Sequence, residues 1–354
     1  MFKKLFLLLS VFLTGHALAA MGTTGLEISL AGDMVYDQGL NSTSTATEKM
    51  TMRGAEMMFF GPIDHRFDGV LSAAAHDENG ETVFELHELY LSSHKLIPRS
   101  RLKAGKFFLG VGRLNQIHQH DWPFIRAPKV HEEFFDSEGV FDSGVEFGHL
   151  LPTDFYLDIT LGVTSGYRYG HAHTAGSKPK VPTHYARLAT FIELSSTDGI
   201  LIAGNYLGRT DEQKNQMRIA GLEFVAKWRE GKSVSYMFQS EAYYRNVKAR
   251  DNSVNEQVGL YFYNQFGLTD HSYFGLRLDG YKDLSKVNSV TSLKVNNVEY
   301  AIVPELTWKS SEFMKFRFGF SHSFTREEGT TLSKDSRIEA QLVFILGAHP
   351  AHSF

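Results

Sequence analysis

Cysteine is absent from all 354 residues, which excludes disulfides, thiolate metal ligands and cysteine nucleophiles. Beyond the first twenty residues, no stretch approaches the ~18 consecutive apolar side chains that a spanning helix requires. A charge excess of one sign is also missing. The 36 Lys and Arg against 40 Asp and Glu leave a net charge of −4, too balanced for a nucleic-acid partner. Against these absences stand 13% aromatic residues and 31 glycines. Such a composition, without helical spans, is that of an outer-membrane barrel.

The chain begins MFKKLFLLLSVFLTGHALAA. Lys3 and Lys4 precede an apolar run, Leu5–Leu13, and a small-residue site at Ala17-Leu18-Ala19. The pattern predicts a secretory signal peptide over 1–19, with residues 20–354 forming one outer-membrane β-barrel domain. No linker, internal repeat or low-complexity tract divides those residues.

Alternation of period two dominates the remainder of the chain. In FYLDITLGV, Phe155, Leu157, Ile159, Leu161 and Val163 share one face, and Tyr156, Asp158, Thr160 and Gly162 the other. SYFGLRLDGY (272–281) and KFRFGFS (315–321) repeat the pattern, opposing Arg277 and Asp279, or Arg317, to large apolar groups. Sixteen such runs are predicted: 25–36, 50–61, 65–76, 82–94, 100–110, 139–149, 153–164, 183–195, 199–208, 214–229, 233–248, 253–267, 270–281, 297–309, 312–325 and 335–347. Run 82–94 changes phase, the mark of a bulge. Pro304 sits inside 297–309, where it removes a ladder donor.

Connections after even-numbered runs are short, while those after odd-numbered runs include 37–49, 111–138, 165–182 and 282–296. Transmembrane barrels have short periplasmic turns and long extracellular loops, so both termini are expected in the periplasm. Trp228 and Trp308 then fall at the periplasmic ends of even strands, where an aromatic girdle belongs. The fold class expected is therefore all-β: a transmembrane antiparallel β-barrel of about 16 strands, porin-like and closed because lipid leaves no unpaired edge. Charged residues on the polar faces, among them Asp158, Arg187, Glu223, Glu241, Arg277 and Glu339, predict a solvated channel wall.

One segment breaks the alternation: GRLNQIHQHDWPFIRAPKVHEEFFDSEG, residues 112–139. It belongs to the connection after the fifth run, 111–138, the third extracellular loop, which is expected to fold inward as a constriction loop. Trp122 and Phe124 would wedge it against the wall, Pro123 and Pro128 would stiffen it, and Arg113, Arg126 and Lys129 would set the field at the narrowing. His118-Gln119-His120 places two imidazoles on one side of an extended backbone, beside Asp121, His131 and Glu132. Imidazole with carboxylate suits Zn²⁺ or another divalent ion. Further pairs occur at His171 and His173, and at His349 and His352, which makes these nine residues the candidate metal contacts.

Asn115, His118, His120, Trp122, Phe124, Ala127-Pro128, Phe134-Phe135, Gly139, Gly144 and Leu151-Pro152 together resemble a family of zinc-regulated outer-membrane proteins often labelled TonB-dependent receptors. The ending Gly347-Ala348-His349-Pro350-Ala351-His352-Ser353-Phe354 resembles that family's His-bearing terminus. The resemblance covers 105–152 and the last eight residues. It implies a porin-like barrel tied to metal supply, with His118, His120, His349 and His352 as metal-contacting positions. Arg126 stands where the family has an acidic residue. The expected first strand leaves no room for the plug of a 22-stranded receptor, so an energy-independent channel is expected.

The expected function is passive passage of small hydrophilic solutes across the outer membrane of a Gram-negative-type bacterium, favouring metal ions such as zinc. No cofactor is required beyond a transient Zn²⁺ or other divalent ion. The expected partners are outer-membrane lipid, lipopolysaccharide and the solutes, in a homotrimer of the kind formed by porins resembling this layout. A surface receptor or adhesin is the competing class, although the loops are too small to form domains. A lipid hydrolase lacks any GxSxG nucleophile motif, so no enzyme is expected.

Overall fold

The computed structural model describes residues 25–78, 81–167, 169, 181–231, 233–287 and 291–348. The signal-peptide reading and the pairs His171/His173 and His349/His352 fall outside them. Each alternating run becomes a strand. The first eight are β1 (Glu27–Gly39), β2 (Met50–Pro62), β3 (Asp68–Glu78), β4 (Glu81–Ser93), β5 (Ser100–Phe108), β6 (Phe141–Leu150), β7 (Tyr156–Thr164) and β8 (Thr183–Glu193). The second eight are β9 (Gly199–Thr210), β10 (Gln216–Glu230), β11 (Ser233–Lys248), β12 (Val254–Gly267), β13 (Ser272–Asp283), β14 (Asn297–Ser311), β15 (Met314–Glu327) and β16 (Thr330–Gly347).

Every strand pairs antiparallel with its sequence neighbours, and β1 pairs with β16 from Ser29↔Gly347 to Gly39↔Arg337. The result is a closed sixteen-stranded antiparallel barrel. Alternation sets its two faces. Tyr273, Arg277 and Asp279 of β13 are buried inside, whereas Leu278 is exposed outside. Leu161, Val163, Leu222, Phe262, Phe318 and Ile338 are likewise exposed, forming an apolar exterior that water alone would not tolerate.

Short turns such as 63–67 and 312–313 gather at one end, the turn end. The connections 40–49 and 109–140, with the ends of β7 and β13 from which the other long connections leave, gather at the other, the loop end. Near the turn end Trp228 packs on Tyr236 at 5.5 Å between ring centres, and Trp308 on Phe316 at 5.6 Å.

Both anticipated irregularities are present. The β3–β4 register jumps from Ser72↔Glu88 to Ala73↔Leu86, leaving His87 as the extra residue of a bulge. Pro304 stays in register with Leu276, but the ladder to β15 is interrupted between Ile302 and Glu305.

A barrel of this size encloses a wide lumen, and here connection 109–140 fills its waist. The connection is not all irregular: it contains a helix, α1 (Lys129–Phe135), which alternation alone did not suggest. Leu114, Trp122, Phe124, Val130, Phe134 and Phe135 from the loop pack with Tyr185, Leu207, Tyr243, Tyr261 and Tyr263 from the wall in one buried apolar cluster. The large hydrophobic core therefore sits inside the barrel and belongs largely to the loop.

Candidate functional site

The loop turns inward at Gly112, whose φ of +75° favours glycine and whose Cβ, if present, would lie 2.3 Å from the Tyr243 hydroxyl. Its backbone N–H donates to Asn205 Oδ1 at 3.1 Å, and that of Arg113 to Glu241 Oε1 at 2.7 Å. On the far wall Arg317 donates to the Trp122 carbonyl at 2.6 Å, and the Tyr263 hydroxyl to the Pro123 carbonyl at 3.0 Å. Glu305 accepts from the Ile125 N–H at 2.9 Å. Arg53, Arg277 and Arg245 donate to the carbonyls of Ile125, Arg126 and Glu133.

Buried backbone polar groups must be paired, and wall charges supply the partners that an irregular loop cannot give itself. The sequence reading of these charges as a solvated wall is corrected here in part. Glu241 and Arg317 are buried, as is Glu305, and hold the loop, whereas Asp158, Arg187, Arg277 and Glu339 border cavities.

Trp122 and Phe124 wedge as expected. The Phe124 ring lies 5.4 Å from Tyr263 and under the Arg277 guanidinium at 4.6 Å, while the Trp122 indole donates to the Ile117 carbonyl at 2.9 Å. Arg126 pairs with Asp37 at 2.7 Å and with Glu339. Lys129 pairs with Glu133 at 2.8 Å and Glu299 at 3.6 Å. Arg126, Lys129, Glu132, Glu299 and Glu339 line a cavity of about 430 Å³ among loop-end residues. Two further cavities, of about 260 and 520 Å³, open among turn-end residues; Arg113 lines the larger.

His118, His120 and Asp121 lie at the smaller of these two, and the structure brings them together. The extended backbone expected here is corrected: the chain closes a 3₁₀ turn over Gln119–Asp121, with the Asp121 N–H donating to the His118 carbonyl at 2.9 Å. Both imidazoles nevertheless meet one wall carboxylate. His118 Nδ1 is 2.8 Å from Glu56 Oε1, and His120 Nδ1 is 3.2 Å from Glu56 Oε2. His118 Nε2 reaches Glu88 at 3.0 Å and His120 Nε2 reaches Asp121 at 3.1 Å. Burial opposes charge on His118, but the attraction and hydrogen bonds of Glu56 and Glu88 outweigh it and hold its pKa well above the usual range. For His120, burial is likewise outweighed by Asp121 and Glu56, and the pKa rises to about 9.

Four ligand-type residues of the wall escaped sequence reasoning: Glu56, His76, His87 and Glu88. Inserting one residue at His87 turns both His87 and Glu88 inward, although neighbours on a regular strand would face opposite sides. The phase change in 82–94 was the only signal for them in the chain. Two ligand trios result, Glu56/His87/His118 and His76/His87/Glu138, with ligand atoms within 4.8 Å of one another in each. Two ligands of a tetrahedral Zn²⁺ are about 3.4 Å apart, given bonds of about 2.1 Å. Observed separations of 2.8 to 3.8 Å bracket that value. The donor set, imidazole with carboxylate, fits a divalent ion.

His131 and Glu132 do not join this cluster. α1 turns His131 into the apolar core, 5.1 Å from the Trp122 ring, where its Nδ1–H donates to the Asp136 carbonyl at 3.0 Å. Burial drives its pKa down to about 4. Glu132 faces the loop-end cavity, where burial, opposed by Lys129, raises its pKa.

No family model matches the chain. One uncharacterised protein of Aquifex aeolicus is 26% identical over 341 residues, covering 85% of this chain and 69% of its own length. Solved structures are more telling. The outer membrane channel DcaP of Acinetobacter baumannii superposes over 91% of this chain and 96% of its own, with TM-score 0.61 and 10% identity. The fold is that of the porins. An anion-selective porin from Comamonas acidovorans (7% identity, TM-score 0.59) covers 91% of this chain and 98% of its own. OmpT of Vibrio cholerae in trimer form (6% identity, TM-score 0.59) covers 91% and 99%. At these identities the likeness speaks for architecture alone.

Proposed function

We propose that this chain is an outer-membrane channel passing small hydrophilic solutes passively, with a preference for divalent cations such as zinc at its waist. The observation that carries the reading is the His118–Glu56–His120 contact, where the inward loop presents two imidazoles to a wall carboxylate beside a cavity. The closed barrel with an apolar exterior suits a bilayer, where every backbone group must be paired. Long connections at one end support an orientation with both termini in the periplasm. The trimer form of a protein with this fold supports a homotrimer.

Conduction requires binding favourable enough for an ion to enter and weak enough for it to leave. Imidazoles already engaged with carboxylates meet that need, since an ion must displace protons to bind. The test is single-channel recording in planar bilayers with and without Zn²⁺, on the wild type and a His118→Ala/His120→Ala variant. Zn²⁺ is expected to block monovalent current reversibly in the wild type and not in the variant. Absence of any current removes the channel, whereas equal Zn²⁺ sensitivity removes the metal preference and leaves a general porin.

A further inference from the structure

His87 belongs to both ligand trios and turns a different ring nitrogen to each. Its Nδ1 is 3.8 Å from Glu56 Oε1, on the side of His118. Its Nε2 is 3.0 Å from His76 Nε2 and 3.8 Å from Glu138 Oε2. The trios also differ in depth. Glu56 pairs across the ladder with Ala74, and His76 lies two residues nearer the loop end of β3. The bulge explains why one ring can serve both, because it swings His87 out of the regular ladder and into the lumen beside Glu88.

We propose that the waist holds two divalent-cation subsites, an outer one of His76, His87 and Glu138 and an inner one of Glu56, His87 and His118, between which a single ion is passed across the His87 ring. The proposal rests on the reading of this belt as a cation pathway and adds to it a second site and the step that joins the two.

The chemistry of imidazole makes the subsites compete. A neutral ring has one lone pair, so an ion on Nδ1 leaves the proton on Nε2, and an ion on Nε2 leaves it on Nδ1. Both subsites are complete together only if the ring gives up its last proton, which a second divalent ion must drive. Occupying one therefore weakens the other. A hand-over moves the ion from Nε2 to Nδ1 and one proton the opposite way. Solvent in the small cavity that Glu56, His76, His87, His118 and Glu138 line takes up the proton released at Nδ1 and supplies the one bound at Nε2, so both carboxylates stay ionised as ligands and the net proton count is unchanged. His76 Nε2 and His87 Nε2 lie in hydrogen-bond contact at 3.0 Å. Multi-site binding with mutual weakening is what allows an ion to enter a channel and still leave.

The experiment is calorimetric titration of the full-length barrel, purified in detergent, with Zn²⁺ at fixed pH. The wild type is expected to bind two ions, the second at least tenfold more weakly. His76→Gln and Glu138→Gln should each bind one ion; using both guards against a folding defect in either. His118→Gln should also bind one ion, at least tenfold more tightly than the second ion of the wild type. A single wild-type site unaffected by His76→Gln and Glu138→Gln overturns the second subsite and leaves the loop site intact. Two sites without the tightening in His118→Gln overturn the exchange through His87. No binding in the wild type removes the cation reading itself.

Discussion

His118 of the loop and Glu56 of β2 lie 2.8 Å apart, closing an ionic latch between the inward loop and the barrel wall. Because the pKa values of His118 and His120 are raised, both rings are protonated near neutrality. Their contribution to holding the loop is present below the ordinary histidine pKa of about 6.5, and is lost as pH rises through about 9 for His120. Divalent-ion affinity should run the other way. Each proton displaced strengthens apparent Zn²⁺ binding roughly tenfold per pH unit until the rings are neutral. Calorimetry across that range checks it, and a flat affinity between about pH 6 and 8 would falsify the protonated latch.

His131 predicts an acid effect of opposite origin. Its folded-state pKa of about 4 lies below the value of an unfolded chain, so the unfolded state takes up the proton first as pH falls. Stability should decline from about pH 6.5 down to about 4 by up to ~3 kcal/mol, since a tenfold difference in proton affinity between the two states is worth about 1.4 kcal/mol. His131→Phe should remove that decline, at a cost at neutral pH of ~1–3 kcal/mol for the lost hydrogen bond to the Asp136 carbonyl. Trp122 packs on this ring, so its fluorescence during acid titration reports the outcome.

Trp122 is fully buried, and its carbonyl is held by Arg317 at 2.6 Å. Trp122→Ala should cost ~3–5 kcal/mol, the range for deleting a large aromatic from a core. It should also raise single-channel conductance as the loop loosens. Arg317→Met should act in the same direction with a smaller loss of stability, because the core ring remains. A conductance unchanged in both variants would show that the loop does not limit flow.

Arg126 neutralises Asp37 and Glu339 at the loop-end cavity, which Glu132, Asp279 and Glu299 also line. Arg126→Gln leaves these carboxylates less compensated. The reversal potential in a KCl gradient should therefore move toward cation selectivity, more strongly at low salt. A shift toward anions would contradict the placement of this cavity on the ion path.

Strands were the legible part. Phe155 to Val163 and Phe274 to Leu278 expose their outward face by simple alternation, and short turns separate them from long loops. His118 and His120 were legible because they are close in the chain. Glu56, His76 and Glu88 were not, since barrel register rather than sequence spacing brings β2, β3 and β4 to the loop. His131 misled for a related reason. In KVHEEFF an imidazole beside carboxylates looks like a ligand, but helical periodicity turns it inward with Phe134 and Phe135. Glu241 and Arg317 misled because their partners include loop N–H groups and carbonyls, which sequence does not place.

The buried apolar cluster joins loop residues from Leu109 to Val140 with wall tyrosines, so the obstacle in the conduit is also the keystone of the vessel. Widening the passage by trimming that cluster must loosen the whole cylinder. Descendants of this chain that admit bulkier cargo are thus expected to carry compensating reinforcement along their staves, and tolerance to heat should fall as throughput rises.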